Sequence, residues 1–169
     1  MRIPFFSRKS AFVYPVPPAP PTAVLKPWFR PRGLVRIFPQ GWDAAAAAFT
    51  PCSIAGTWAQ MEALLPENIP SLTHALIVLT GPRDPLLTLA QRDKLWRAFR
   101  VPVFEQIIGE RGVVLAAECE AHDGLHIEST AFKSRLPRET APCGCGRKTP
   151  RVKAAGRPEA VRVIAAYAR

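Results

Sequence analysis

The feature that most constrains this fold is a group of cysteines and histidines near the C-terminal end of the chain. Three of the four cysteines lie between positions 119 and 145, and His122 and His126 lie among them. Cysteines clustered beside histidines are typical of a metal site, whereas disulfide scaffolds use more cysteines spread along a short chain. A metal bound here would tie segments that are distant in sequence, so folding must bring them within bonding distance.

Structural zinc needs four nitrogen or sulfur ligands arranged as a tetrahedron. Cys119 ends one expected strand, and His126 follows a turn on the returning strand, so the two can meet across a hairpin. The glycines around the Cys-x-Cys pair lack a Cβ atom and let the backbone fold tightly around a metal. His122 is expected in the turn, as a spare candidate. We predict a structural Zn²⁺ site formed by four residues: Cys119, His126, Cys143 and Cys145.

Other interpretations of the same residues stay open. The cysteines could be reduced and unliganded beside a hydrogen-bonded histidine, or a zinc ion could be catalytic and keep one position for water. A small enzyme could also use Glu118, Cys119 and His122. Neighbouring residues on a strand point to opposite faces, however, so closeness in sequence does not bring these groups together.

The middle of the chain predicts a βαβ unit. Residues 75–80 read ALIVLT, a continuous apolar run typical of a strand buried on both faces. Thr88 and Gln91 form a capping-box pattern at the start of a helix, and a second short strand follows from Val101 to Phe104. Strand, helix and strand in about 30 residues normally form a parallel, right-handed unit.

Both sides of this unit carry further signals. Residues 42–65 predict helix, with Ile54, Trp58, Met61 and Leu65 at helical spacing. Strands are expected over 112–118 and 125–128, with an Asp-Gly turn between them. Residues 158–169 are ambiguous between strand and helix, and we favour a helix. The expected fold class is α/β, with a small mixed sheet, the βαβ unit, the β-hairpin and a C-terminal zinc knuckle.

The first 40 residues predict an extended, proline-rich arm. They contain nine prolines, seven Lys or Arg and no acid. Proline fixes φ and removes backbone donors, which favours polyproline II or irregular structure. We therefore divide the chain into a basic arm at 1–40 and an α/β domain with the metal knuckle at 41–169. The net charge of +10 suits a polyanionic partner but does not specify one.

Two stretches resemble the phenylacetate–coenzyme A ligase branch of the adenylate-forming enzymes. The first, from 76 to 127, runs from LIVLTGPRDP to ECEAHDGLHI. The second, from 143 to 159, is CGCGRKTPRVKAAGRPE and is similar to the family's C-x-C-G-R-x-x-P-R segment. Some family members hold zinc with Cys and His at this place, so the resemblance implies the same ligands in this chain.

The family's catalytic motifs are missing. No Ser/Thr/Gly-rich phosphate loop with its lysine is found, and the aromatic-Gly-x-Ser/Thr-Glu motif would fall on residues 107–111, which read IIGER. The ribose-binding aspartate and the lid lysine are not found either. Adenylation requires positioned phosphates and stabilisation of the developing charge. We therefore expect a cut-down relative that does not form an acyl adenylate, although enzyme activity is not excluded.

The function predicted from these observations is that of a non-catalytic, zinc-stabilised accessory protein with a protein partner. Nucleic-acid binding is the alternative, since residues 132–169 hold ten Lys or Arg against two acids. A small enzyme related to acyl- or aryl-CoA ligases is the second alternative, and a small-molecule substrate is not expected. No apolar run approaches the roughly 20 residues of a membrane span. Cytoplasmic location is the default expectation.

Overall fold

A computed structural model of the chain describes residues 9–132 and 137–153. This part of the chain is built on one mixed sheet of nine strands. The strands are β1 (Thr22–Val24), β2 (Val35–Ile37), β3 (Ser53–Gly56), β4 (Ala75–Thr80), β5 (Val103–Ile108), β6 (Val114–Ala117), β7 (Leu125–Ile127), β8 (Arg138–Glu139) and β9 (Arg151–Val152). The helices are α1 (Ala44–Ala48), α2 (Trp58–Ala63) and α3 (Leu89–Phe99), and a 3₁₀ turn covers Glu110–Gly112.

The sheet has a parallel half and an antiparallel half. The strand order is β2-β1-β3-β4-β5-β6-β7-β9-β8. Strands β2 to β5 in this order pair in parallel, and every pair from β5 to β8 is antiparallel. The sequence predicted a mixed sheet, but a smaller one. The four candidate ligands named from the sequence all lie on or next to strands of the antiparallel half.

The predicted βαβ unit is confirmed. Strand β4 is buried along its whole length and pairs in parallel with β5. Helix α3 connects them and begins with the expected capping box, in which the Gln91 amide donates to the Thr88 hydroxyl at 3.2 Å. The helix ends at Arg100, whose φ of +57° stops helical propagation. Local capping chemistry and a continuous apolar strand were sufficient to predict this unit.

The helical prediction for residues 42–65 is correct only in part. Asp43 caps α1 by accepting a hydrogen bond from the Ala46 amide at 2.8 Å. Ile54, however, lies in strand β3 rather than on a helical stripe with Met61. The second helix of this stretch, α2, begins only after Thr57, which forms its own capping box with Gln60. Pairing of β3 between β1 and β4 outweighs the helical spacing, since both neighbours offer backbone partners.

The described part of the proline-rich segment is not an extended arm. Its two strands, β1 and β2, pair with each other, and β1 also pairs with β3. Phe12 and Tyr14 are buried against the sheet, and the Tyr14 hydroxyl lies 3.0 Å from the Ser53 hydroxyl. Proline excludes helix from this segment, but it does not exclude three-residue strands placed between prolines.

The two faces of the sheet are covered by different material. Helices α2 and α3 cover one face through Met61, Leu64 and Leu95. On the other face the N-terminal segment supplies Phe12, Tyr14 and Phe29, with the rings of Phe12 and Phe29 packed edge to face. The N-terminal segment therefore covers the face of the sheet that helices usually cover in a parallel sheet.

Two sequence expectations concern the remaining segments. The hairpin is confirmed, since β6 and β7 pair antiparallel with Ala117 opposite His126. The helix favoured for 158–169 lies outside the described residues. Across residues 9–132 and 137–153, no helix is both long enough and apolar enough to span a membrane.

Candidate metal centre

The β6–β7 hairpin positions the first two residues of the candidate centre. Cys119 lies two residues beyond the end of β6, and His126 is the central residue of β7. The turn between them contains Gly124 at φ +89°, where an added Cβ atom would lie 2.7 Å from the carbonyl oxygen of Val152. Glycine is needed at this position because the returning strand passes close to β9.

A tight loop before β9 positions the other two residues. The Gly146 amide donates to the carbonyl oxygen of Cys143 at 2.9 Å and closes a turn around Cys145. Gly146 has φ +81°, a conformation that glycine adopts without strain. The loop leads into β9, which pairs with β7, so the strand carrying His126 and the Cys-x-Cys loop are adjacent.

The ligand atoms of Cys119, His126, Cys143 and Cys145 form one group that could hold a metal ion. All four atoms lie within 4.8 Å of one another. The sulfurs of Cys119 and Cys143 are 3.6 Å apart, and the Cys145 sulfur is 3.4 Å from Nε2 of His126. A tetrahedral ion with bonds of about 2.3 Å separates its ligands by about 3.8 Å, so the observed spacing fits such an ion.

The orientation of His126 also suits a ligand. The side chain is completely buried, and its Nδ1 lies 2.8 Å from the Thr149 hydroxyl and 3.3 Å from the Thr149 carbonyl oxygen. In the tautomer that carries its proton on Nδ1 and donates to Thr149, Nε2 faces Cys145 and is the nitrogen that can bind a metal. Metal-binding histidines usually have such a partner on the second ring nitrogen.

The two closest thiols differ in acidity. Burial, together with a smaller effect of the neighbouring thiols of Cys145 and Cys143, raises the pKa of Cys119 to about 12. The backbone amide of Cys145 lowers the pKa of Cys143 to about 6, with help from the side chains of Cys145 and His126. One thiolate near neutral pH is therefore stabilised within the group, while Cys119 must lose a proton when it binds a metal.

His122, the spare candidate, lies elsewhere. Its backbone has φ +47° in the hairpin turn, and its ring stacks on Phe104 with centroids 4.6 Å apart. Burial lowers its pKa, and the charge of Arg92 lowers it further. Since its ring packs against Phe104 instead of the thiols, the structure does not place it with the other four residues.

The alternative catalytic grouping of Glu118, Cys119 and His122 does not come together. The carboxylate of Glu118 accepts from Arg92 at 2.9 Å and from the Glu105 amide at 2.7 Å, on the helix-covered face of the sheet. Cys119 joins the metal group instead. No acid–base–nucleophile contact links these three side chains, as the alternation of strand residues suggested.

Two arginines support the centre through contacts that sequence reasoning missed. Arg147 donates its backbone N–H to the sulfur of Cys145 at 3.5 Å and its guanidinium to Glu128 at 2.9 Å and to the carbonyl oxygen of Pro15 at 3.2 Å. Arg151 is buried beside the hairpin turn. The side-chain contacts of these two arginines have no local sequence signal, because they join residues 10 to 132 positions apart.

Comparison with known proteins identifies the fold but no family. No protein-family model matches the chain, and no curated protein matches it. Among solved structures, the chain resembles the open conformation of 2-hydroxyisobutyryl-CoA ligase in complex with 2-HIB-AMP and CoA. The TM-score is 0.55 and the identity 14%, over 79% of this chain and 44% of the ligase chain. The chain thus shares the fold of part of this ligase and spans less than half of its length.

Proposed function

We propose that this protein is a zinc-stabilised accessory protein that works with a protein partner and does not catalyse adenylation itself. We further propose that it is related to the phenylacetate–coenzyme A ligase branch of the adenylate-forming enzymes. The observation that carries the proposal is the convergence of three thiols and one imidazole within 4.8 Å. The likeness to part of an acyl-CoA ligase supports the relationship at the level of the fold.

Zinc is the metal that best suits this ligand set. Thiolate and imidazole ligands in a tetrahedral arrangement select zinc or iron–sulfur centres over calcium and magnesium, which prefer oxygen ligands. Four protein ligands fill all positions of a tetrahedral ion and leave none for water or substrate. Such a closed site supports a structural role, in which the metal joins the hairpin to the Cys-x-Cys loop.

The surroundings of the missing adenylation motif support a non-catalytic role. Glu105 is the nearest buried acid, and its carboxylate already accepts from the Thr80 hydroxyl at 2.7 Å and the Leu87 amide at 2.9 Å. Arg92 donates to its other oxygen at 3.2 Å. A carboxylate with this many internal partners, and only 2% exposed, is not free to bind a metal–nucleotide complex.

The zinc proposal is tested by the double substitution Cys143→Ser and Cys145→Ser. We expect this variant to lose one equivalent of zinc and to melt at a lower temperature, because metal binding to the folded state adds to its stability. Cys52→Ser is the matched control, since Cys52 lies outside the metal group. Native mass spectrometry measures the metal content. Unchanged zinc content in the double variant would rule out this centre.

The proposed partner needs a separate test. Purification of the native chain from its own cells, followed by light scattering at several concentrations, should show a defined assembly with another protein. A strictly monomeric chain without a partner would contradict the accessory role. Tight binding of mixed oligonucleotides with a steep salt dependence would replace it by the nucleic-acid alternative.

A further inference from the structure

Arg151 lies on β9 beside the candidate ligand His126, an unusual place for an arginine. Its side chain is only 2% exposed, and its Nε has no hydrogen-bond partner among the described residues. Arginines are rarely buried unless they are paired. Apolar side chains of similar volume often replace buried ion pairs without loss of stability. Fold stability alone therefore gives little reason for an arginine here.

The position of Arg151 relates it to both ligand-bearing segments. Its Cα lies opposite that of His126 in the β7–β9 pair. Its Nη1 donates to the carbonyl oxygen of Asp123 at 3.1 Å and to the Asp123 carboxylate, in the turn between Cys119 and His126. Its Nη2 donates to the carbonyl oxygen of Ala141 at 3.1 Å, two residues before the Cys-x-Cys loop. One guanidinium thus bridges the two loops that supply the ligands.

Lys153 provides an internal comparison. Its ammonium group forms ion pairs with Asp123 and Glu139, each at 2.7 Å. Arg151 lies 3.5 Å from Glu139 and also bonds to Asp123. The side chain of Lys153 is 40% exposed, however, and its ammonium group contacts these carboxylates rather than carbonyl oxygens of the loops. Arg151 and Lys153 therefore pair with the same two acids. Of the two, Arg151 is the one that also donates to backbone carbonyls of both ligand-bearing loops.

We propose that Arg151 is a positioning residue for the metal centre, which holds the hairpin turn and the Cys-x-Cys loop in register before the metal binds. The proposal rests on the proposed zinc site and extends it. Ligands that are already in place lose less conformational freedom on binding, so the metal binds more tightly. The rigid, planar fork of arginine can bridge two carbonyls, which the single ammonium of lysine cannot do with the same geometry.

The experiment compares Arg151→Met, Arg151→Lys and the matched control Lys153→Met. Zinc affinity is measured by competition with a chromophoric chelator, and cobalt substitution reports ligand geometry through its visible spectrum. We expect both Arg151 variants to bind zinc about 10–100-fold more weakly, as outer-shell changes do. Lys153→Met should stay within about threefold of the native chain, since an exposed ion pair contributes little.

Hydrogen exchange of the metal-free proteins adds a readout that does not depend on zinc. We expect faster exchange of amides at 120–126 and 141–146 in the Arg151 variants and native-like exchange in Lys153→Met. If Arg151→Met does not fold, Arg151→Lys decides the question. Native zinc affinity in a folded Arg151 variant would overturn the positioning role alone. A native chain that takes up no zinc would overturn the proposed function, and the positioning role with it.

Discussion

At the scale of single residues, the candidate centre depends on which histidine faces the thiols. His126 is central in β7 and has Nε2 3.4 Å from the sulfur of Cys145. His122, four residues earlier, stacks on Phe104. The two residues have the same side chain and lie on either side of the hairpin turn. Strand pairing decides between them, because only the residue opposite Ala117 lies beside β9.

This difference gives a direct test with a matched pair. His126→Ala should weaken zinc binding by more than the roughly 10–100-fold of an outer-shell change, because a ligand itself is lost. His122→Ala should keep one equivalent of zinc at native affinity. Chelator competition on both variants measures the effect. Equal weakening in the two variants would show that the turn, rather than the ligand, governs binding.

A second residue-scale feature is the buried pair of carboxylates that shares Arg92. Burial raises the pKa of Glu105, and the charge of Glu118 raises it further, against the opposing effects of Thr80, Leu87 and Arg92. Burial also raises the pKa of Glu118. Both pKa values are higher in the folded chain than in the unfolded chain. At pH values between the unfolded and the folded pKa, the folded state therefore binds more protons. Its stability therefore falls as pH rises through that window.

Glu105→Gln tests this pH dependence. The native chain should lose unfolding free energy as the pH rises above about 4.3, the ordinary pKa of a glutamate, and the variant should lose less, because one of the two raised carboxylates is gone. Urea unfolding at a series of pH values above this one gives the difference. Glu67→Gln, at an exposed position, is the control, and its unfolding free energy should change with pH as in the native chain. An identical slope in Glu105→Gln and the native chain would contradict the raised pKa.

At the scale of elements, helix α3 covers one face of the sheet through a narrow contact. Leu95 is completely buried, whereas Leu89, on the same helix, is 83% exposed. Trp96 is half-exposed beside Arg100, whose guanidinium lies 4.6 Å from its ring centroid. Only a narrow apolar face of this helix therefore contacts the core, which buries Leu95 but leaves Trp96 half-exposed.

Two leucine truncations on this helix should differ strongly. Leu95→Ala should destabilise the chain by roughly 2–5 kcal/mol, because it opens a cavity against the sheet. Leu89→Ala should change stability by less than about 0.5 kcal/mol, as exposed substitutions usually do. Denaturant unfolding measures both values. A small effect at Leu95 would mean that α3 is not packed as described.

At the scale of the whole molecule, the parallel half of the sheet depends on the N-terminal segment. Strand β1 covers the edge of β3, and Phe12 and Tyr14 cover one face. The boundary between residues 40 and 41 stays a prediction, and the sheet gives a reason to test it. A chain without residues 1–40 would expose the apolar face and the backbone groups of β3.

We expect the chain that begins at residue 41 to lose cooperative folding. It would lack two strands and the aromatic side chains that cover the sheet face opposite α2 and α3. Circular dichroism during heating, together with calorimetry, tests this expectation. The full-length protein is the reference. A shortened chain that melts cooperatively at the native temperature would support an independent domain at 41–169 and a separable arm.

Much of the fold was predictable wherever local chemistry controls it. The βαβ unit follows from a continuous apolar strand and a capping box, and the hairpin follows from an Asp-Gly turn. Strands β1 and β3 were not predicted, because three or four residues among prolines or alanines carry little periodicity. Their pairing is decided by contacts between residues about 30 positions apart, which single-sequence patterns do not record.

The sequence by itself limited the candidate metal ligands to three cysteines and one of two histidines, with His126 preferred over His122, because residue type, spacing and turn glycines are local properties. Zinc as the metal, and a protein as the partner, stay proposals. Only the tertiary structure decided that the proline-rich segment completes the sheet and that Arg151 joins the two ligand loops. Both depend on which strands lie side by side, and that is settled by burial of the shared core rather than by any short segment.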